Sequence, residues 1–189
     1  ANPAQANDYG ATPLSEAAVV GTVDVIKALL DAGAAVDERN ADGQTALMVV
    51  ARTNNVEAAR LLIKRGADVN AQDTMQDSPF LYAGAQGRLA ILRLTLAAGA
   101  DLKSTNRYGG TALIPACHRG HVEAVKLLLA TDIDKDHVNN LGWTALLETI
   151  ILGDGGQRHT EIVRLLTAAG ANVNLPDRDG VTPLAHARQ

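Results

Sequence analysis

A short motif recurs along this chain at a nearly constant interval. Successive copies open on a hydroxyl residue, and these residues are 33 positions apart four times and 38 apart once. The copies are Thr12-Pro13-Leu14, Thr45-Ala46-Leu47, Ser78-Pro79-Phe80, Thr111-Ala112-Leu113, Thr144-Ala145-Leu146 and Thr182-Pro183-Leu184. A fixed period of this length is typical of proteins built from stacked structural repeats. The last interval predicts five extra residues in one repeat.

The chemistry of the motif predicts a helix start at every copy. A Thr or Ser hydroxyl at the N-cap position accepts a hydrogen bond from a backbone N–H that has no partner inside the helix. Proline suits the first helical position because its missing N–H is not needed there. Apolar residues follow each copy with the spacing of an amphipathic helix, as at Val23, Ile26, Leu29 and Leu30.

Further motifs add a family resemblance. They are the repeat tails Gly66-Ala67-Asp68-Val69-Asn70, Gly99-Ala100-Asp101-Leu102 and Gly170-Ala171-Asn172-Val173-Asn174, and the linker Gly120-His121. With them the chain resembles ankyrin repeat proteins, in particular small bacterial ones with a loop in the fifth repeat. The resemblance implies an all-α ankyrin repeat solenoid of about five and a half helix-turn-helix repeats with β-hairpin-like fingers. We expect one domain over residues 1–189, with repeats at 7–39, 40–72, 73–105, 106–138 and 139–176 and a partial repeat at 177–189.

Three positions depart from the repeat pattern. Gln76 stands where other fingers carry Gly, so this finger has either a strained positive φ or a different turn. Pro115 removes one first-turn hydrogen bond, which predicts a slight bend in its helix. The five extra residues of repeat five fall within Gly153–Gln157, between its two helices. This loop lacks the Lys and Ser/Thr of a phosphate-binding loop, so we interpret it as a surface insertion, of the kind that often marks a binding face.

The amino-acid composition limits the classes of partner and the kind of core that this chain can have. Apolar residues make up 47% of the chain and aromatic residues 3%, which indicates a thin core of Ala, Leu, Val and Ile. The net charge of −4 and the scattered Lys and Arg disfavour a nucleic-acid partner. No apolar run is long enough to span a bilayer, and a single cysteine excludes an internal disulfide. We expect a soluble monomer without a cofactor. A start at Ala1 without Met weakly favours a periplasmic or secreted protein, with the cytoplasm as the alternative.

Two clusters of potential ligands need a separate interpretation. Cys117, His118 and His121 are close enough in sequence for a metal site or a thiol–imidazole pair, so a metal sensor or an enzyme remains the alternative function. The family resemblance instead implies that His121 bonds the backbone in the linker and that Cys117 fills a small-residue position. The acidic run 132–136 does not match a calcium loop, because His137 and Trp143 replace the required Gly and Glu.

The resemblance also implies which residues contact a partner. Finger and inner-helix positions of this family face a concave groove, and Trp, Tyr and Arg dominate interface energetics. The candidate contact residues are Tyr9, Asp42, Arg52, Met75, Asp77, Gln86, Arg107, Tyr108, His118, Arg119, Leu141 and Trp143. We expect Trp143 to be an exposed anchor, the alternative being that its ring packs on repeat five. The predicted function is non-catalytic binding of a protein partner. An engineered scaffold is a further alternative, which irregularities such as Gln76 disfavour.

Overall fold

The computed structural model describes residues 5–188. The Ala1–Ala4 start, on which the expectation of export rests, and Gln189 at the end of the partial repeat lie outside this range. Eleven helices and no strand occur within the described residues, which confirms the all-α solenoid class. The helices are α1 (Pro13–Val20), α2 (Val23–Asp31), α3 (Ala46–Thr53), α4 (Val56–Lys64), α5 (Pro79–Ala85), α6 (Leu89–Ala97), α7 (Leu113–His118), α8 (Val122–Leu129), α9 (Ala145–Leu152), α10 (Gln157–Ala168) and α11 (Pro183–His186).

The predicted N-caps are present in five of the six repeats. The Thr12 hydroxyl accepts from the Ser15 N–H at 3.1 Å, and the Thr144 hydroxyl accepts from the Leu147 N–H at 3.2 Å. Equivalent caps are made by Thr45, Ser78 and Thr182. Each cap satisfies a backbone donor that the helix itself leaves unpaired. The motif therefore sets where these inner helices begin.

Repeat four is the exception, and Pro115 explains it. Because Pro115 has no N–H, the Thr111 carbonyl accepts instead from the Ile114 N–H at 3.2 Å. That N–H is the donor that a cap would use, so the buried Thr111 hydroxyl has no hydrogen-bond partner among the described residues. Helix α7 begins at Leu113, one residue later than the motif predicts, and has six residues. The proline thus shortens the start of the helix, whereas the sequence predicted only a slight bend.

Gln76 adopts the strained turn. Its φ is +61°, in the left-handed region occupied by the glycines of the neighbouring fingers, for example Gly43 at +73°. The only other described non-glycine residue with positive φ is Asn54, also at +61°, which ends α3. Asn tolerates this region better than Gln, because its short amide bonds the local backbone. The finger of repeat three therefore keeps the common turn with an unfavourable residue.

The described residues form two compact units. One comprises the described residues up to Ala83 together with Ala90–Ala100, and the other comprises Gly84–Leu89 and the described residues from Asp101 onward. In the first unit α1 packs on α2 and α3, and α3 packs on α4. In the second unit α7 packs on α8 and α9, while α10 packs on α8 and α9. Small and branched apolar residues fill both cores, including Ala18 and Leu47 in the first and Leu113 and Leu147 in the second.

The extra residues of repeat five lie partly in a helix. Gln157 is the first residue of α10, so the insertion leaves a loop of residues 153–156 and lengthens the outer helix. Helix α10 has 12 residues against nine in α4, whereas the inner helix α9 has eight, the same length as α1. The placement of all five residues in a loop is therefore wrong. None of the helices within residues 5–188 combines the length and apolar character of a bilayer span.

We predict that Gln76→Gly stabilises the protein. The substitution removes left-handed strain of about 1 kcal/mol, partly offset by the greater entropy of Gly in the unfolded chain. The backbone carbonyl that accepts from the Gln72 amide is retained. The matched control is Asn54→Gly, which has the same φ but relieves less strain. Urea unfolding should place the Gln76→Gly midpoint above wild type and above Asn54→Gly; a lower midpoint would contradict the strain argument.

Candidate functional site

Each finger is a five-residue turn closed by its first side chain. We call the turns at residues 7–11, 40–44, 73–77, 106–110, 139–143 and 177–181 fingers one to six. The Oδ1 atom of the opening Asn or Asp accepts two backbone N–H groups, two and four residues later. In finger five, Asn139 accepts from Leu141 at 2.9 Å and from Trp143 at 3.0 Å. The other opening residues, Asn7, Asn40, Asp73, Asn106 and Asp177, do the same.

Sequence reasoning missed this role. An Asn or Asp recurs at positions 7, 40, 73, 106 and 139 with the same 33-residue period as the helix caps. Asn and Asp favour such turns because their short side chains bond the backbone two residues on. The signal was therefore available in the same period. Backbone bonds also close each turn, as where the Asn139 N–H donates to the Trp143 carbonyl at 3.0 Å, and the fingers contain no strand residues.

Adjacent fingers within each unit are joined through the backbone. In the second unit, the Asn140 N–H donates to the Tyr108 carbonyl at 2.9 Å. In the first unit, the Ala41 N–H donates to the Gly10 carbonyl at 3.0 Å, and the Thr74 N–H donates to the Asp42 carbonyl at 3.2 Å. These bonds hold neighbouring fingertips in fixed register. Side chains at equivalent finger positions, such as Tyr108 and Leu141, are therefore presented side by side.

Most of the predicted contact residues are accessible. Tyr9 is 89% exposed, Tyr108 55%, Leu141 53% and Met75 41%. The polar members Asp42, Arg52, Gln86, Arg107 and Arg119 are also exposed, while Asp77, His118 and Trp143 are half-buried. Trp143 is thus not the fully exposed ring that we expected.

The geometry brings some of these residues together. The Arg107 guanidinium lies 4.7 Å from the centre of the Tyr108 ring, and its Nη2 donates to the Tyr108 hydroxyl at 2.7 Å. This is a cation–π contact reinforced by a hydrogen bond. Arg119 instead donates to the Ala85 carbonyl at 2.9 Å, which ties it to the preceding repeat. Fingers four and five therefore present an aromatic ring, an aliphatic side chain and one cation.

Glu148 is a buried acid that sequence reasoning did not single out. Its side chain, on α9, is 11% exposed and approaches the His118 Nδ1 at 3.3 Å with Oε1. Its Oε2 accepts from the Asn139 amide at 2.8 Å. Burial raises the pKa of Glu148 above its ordinary value, although His118 and Asn139 oppose this shift. The same Asn139 closes finger five, so the carboxylate connects the inner helices to the finger.

The three residues of the alternative site have separate partners. Cys117 is fully buried, and its thiol is hydrogen-bonded to the Thr149 side chain. Burial raises the pKa of this thiol far above the ordinary range. His118 faces Glu148, whereas His121 bonds the Ala85 backbone. Burial, followed by the charge of Arg119, lowers the pKa of His121. Residues 5–188 contain no group of three His, Cys, Asp or Glu side chains placed to hold a metal ion.

The insertion in repeat five is closed by His159. This ring, in the first turn of α10, meets the Asp154 carboxylate with Nδ1 at 2.6 Å and the His118 carbonyl with Nε2 at 2.8 Å. The His118 carbonyl can only accept, so Nε2 is the donor in that contact. The Gly156 N–H and His159 together lower the pKa of Asp154. His159 thus joins the inserted loop to the end of α7.

We predict that Cys117 is unreactive in the native protein, since the thiolate is the nucleophile and burial disfavours it. A thiol reagent should label Cys117 only after unfolding, whereas the exposed control Thr53→Cys should be labelled at once in the native state. Cys117→Ala should lower stability by about 1 kcal/mol, because the volumes are similar. Rapid labelling of native wild-type protein would contradict the prediction.

Comparisons with known proteins agree with this architecture. A family model for ankyrin repeats (three copies) matches residues 1–73 and 80–177. The crystal structure of an ankyrin repeat domain from Acinetobacter baumannii AYE has a TM-score of 0.90 and 61% identity, covering 93% of this chain and 90% of that chain. The ankyrin repeat protein EF0377 also has a TM-score of 0.90, with 43% identity over 97% of this chain and 92% of its own. No curated protein matches. Ankyrin repeats are general protein–protein interaction modules, and this chain belongs to the ankyrin repeat family.

Proposed function

We propose that this chain binds a protein partner through its fingers and inner-helix ends, without catalysing a reaction. The observation that carries the proposal is the joined pair of fingers four and five. Their equivalent residues Tyr108 and Leu141 are each more than half exposed, and a backbone hydrogen bond holds the two turns together. A rigid platform of this kind loses little conformational entropy when it binds.

The residue types on this platform suit an interface. Tyr and Arg are enriched among residues that dominate binding energy, and apolar side chains beside them exclude water. Tyr108 is already oriented by its contact with Arg107, so its ring needs little further ordering. Trp143 is half-buried, and its backbone N–H donates to Asn139 Oδ1. We assign Trp143 a mixed role, in which it packs against the repeat and contributes one edge to the partner.

The charges of the fingers suggest the chemistry of the partner. Finger four contains one charged residue, Arg107, and finger five contains none. Fingers one to three contain no cation and carry Asp8, Asp42, Asp73 and Asp77. Opposite charges at an interface favour association and register. We therefore propose that fingers four and five contact an apolar segment of the partner with a carboxylate beside it. Fingers one to three would contact a basic segment of the same partner.

Catalysis is not part of the proposal, because the only thiol is inaccessible. Cys117 has no exposed surface, and its raised pKa keeps it protonated. A cysteine nucleophile needs the opposite environment, which stabilises a thiolate in contact with solvent. The neighbouring His118 faces Glu148 and the ring of His121 bonds the Ala85 backbone, so neither is placed to activate the thiol.

We predict that the Tyr108→Ala, Leu141→Ala double variant loses partner binding with little change in melting temperature. Exposed side chains contribute little to folding, whereas removing such a pair from an interface should weaken the dissociation constant about thirtyfold, equivalent to about 2 kcal/mol. Cross-linked affinity capture from the source organism would identify the partner, and titration calorimetry with the purified partner would measure the loss.

The control is Val25→Ala, which removes an apolar side chain that is 46% exposed on the outer helix α2. It should bind like wild type. If the double variant also binds like wild type, fingers four and five are not the interface. Trp143→Ala, tested separately, should lower both affinity and melting temperature, because its ring is half-buried.

A further inference from the structure

In repeats five and six, the same position of the inner helix contacts the opening residue of the finger. The residues four positions after each cap are Glu16, Val49, Tyr82, Pro115, Glu148 and His186. In repeat six, His186 Nε2 contacts Asp177 Oδ2 at 2.7 Å. In repeat five, Glu148 Oε2 accepts from the Asn139 amide at 2.8 Å. Both contacts join the first turn of an inner helix to the residue that closes the finger.

The contact in repeat five is part of a continuous hydrogen-bonded path. It runs from His118 on α7 to Glu148 on α9, and from Glu148 to the Asn139 amide. The other end of the same amide, Oδ1, accepts from the N–H groups of Leu141 and Trp143. Asn139 is itself buried, with 6% of its surface exposed. The orientation of the Asn139 amide therefore depends on Glu148, and the same amide holds finger five in its conformation.

Few other ionisable groups face this carboxyl. Helix α7 contributes His118 and the buried thiol of Cys117. From α10, His159 donates to the His118 carbonyl rather than to Glu148, and His186 on α11 is paired with Asp177. Within the described part of the chain, His118 is the one ionisable group within ion-pair distance of Glu148. The charge state of the path is thus set by two residues.

We propose that Glu148 is a positioning residue for finger five, and that its protonation releases the finger from the inner helices. An ionised carboxylate accepts from both His118 and Asn139, whereas a neutral carboxyl keeps one strong acceptor, its carbonyl oxygen. A proton on Oε2 turns this oxygen into a donor that faces the donor of the Asn139 amide. The Asn139 amide then loses its partner. The consequence for partner binding rests on the proposed function, whereas the movement of the finger does not.

This release differs from acid unfolding. Because burial raises the pKa of Glu148 in the folded protein, the folded state holds this proton more tightly than the unfolded chain does. The contribution of Glu148 to folding stability is therefore greatest below its unfolded pKa and declines as pH rises through its folded pKa. Acid thus loosens the finger without destabilising the fold through this group.

The single tryptophan lies on finger five and reports its conformation. Emission and acrylamide quenching of Trp143 are followed from about pH 8 to about pH 4, with circular dichroism confirming that the helices persist. Wild type should show a red shift and a larger quenching constant as the pH falls. Glu148→Gln should show the acid values at every pH and no transition, because its amide, like the neutral carboxyl, has one acceptor oxygen and cannot titrate.

Glu16→Gln is the matched control. Glu16 occupies the equivalent position in repeat one but is exposed, so this variant should titrate like wild type. Asn139→Asp gives a second test. It keeps the Oδ1 atom that accepts from Leu141 and Trp143, but it removes the amide group that donates to Glu148. Its Trp143 should already be more easily quenched near neutral pH. The proposal would be overturned by the same pH-dependent change of Trp143 emission and quenching in wild type and Glu148→Gln, or by no change in folded wild type. Neither result bears on binding through Tyr108 and Leu141, which has a test of its own.

Discussion

The structure depends on side-chain oxygens that accept backbone N–H groups at the start of every repeat. An Asn or Asp closes the finger, and in five repeats a Thr or Ser caps the helix that follows. Helices of six to nine residues, as most are here, are marginal in isolation and need both satisfied ends and neighbours to pack against. Capping supplies the first requirement locally, and stacking supplies the second. The 33-residue period exists because both requirements recur in every repeat.

The exceptions show what each local rule contributes. Pro115 has no N–H, and among residues 5–188 the result is a missing cap, a Thr111 hydroxyl without a partner and a later helix start. Gln76 keeps the left-handed turn that Gly adopts elsewhere, at a conformational cost. Neither change abolishes its repeat, because packing against the adjacent helices outweighs a defect of about 1 kcal/mol. Repeat arrays tolerate such defects singly, since stability is distributed over many interfaces.

Repeat five combines several departures from the common pattern. The insertion extends α10, and His159 ties the new turn to the end of α7. Glu148, at a position that is exposed in repeat one, is buried between His118 and Asn139. A buried carboxylate with a raised pKa is a net cost to folding at neutral pH. Such residues tend to occur at functional positions, and this one supports the finger that carries Leu141 and Trp143.

Local chemistry allowed the sequence by itself to determine the capped helix starts, the ankyrin family and the burial of Cys117. These follow from residue types at a fixed period, and a cap or a turn involves only a few successive residues. Tertiary structure alone decided the rest. The pairing of Glu148 with His118 joins residues 30 positions apart, and the contact of His159 with the His118 carbonyl joins residues 41 apart. Likewise, only the folded structure shows that Trp143 is half-buried. Contacts between repeats depend on how helices pack, which no local pattern encodes.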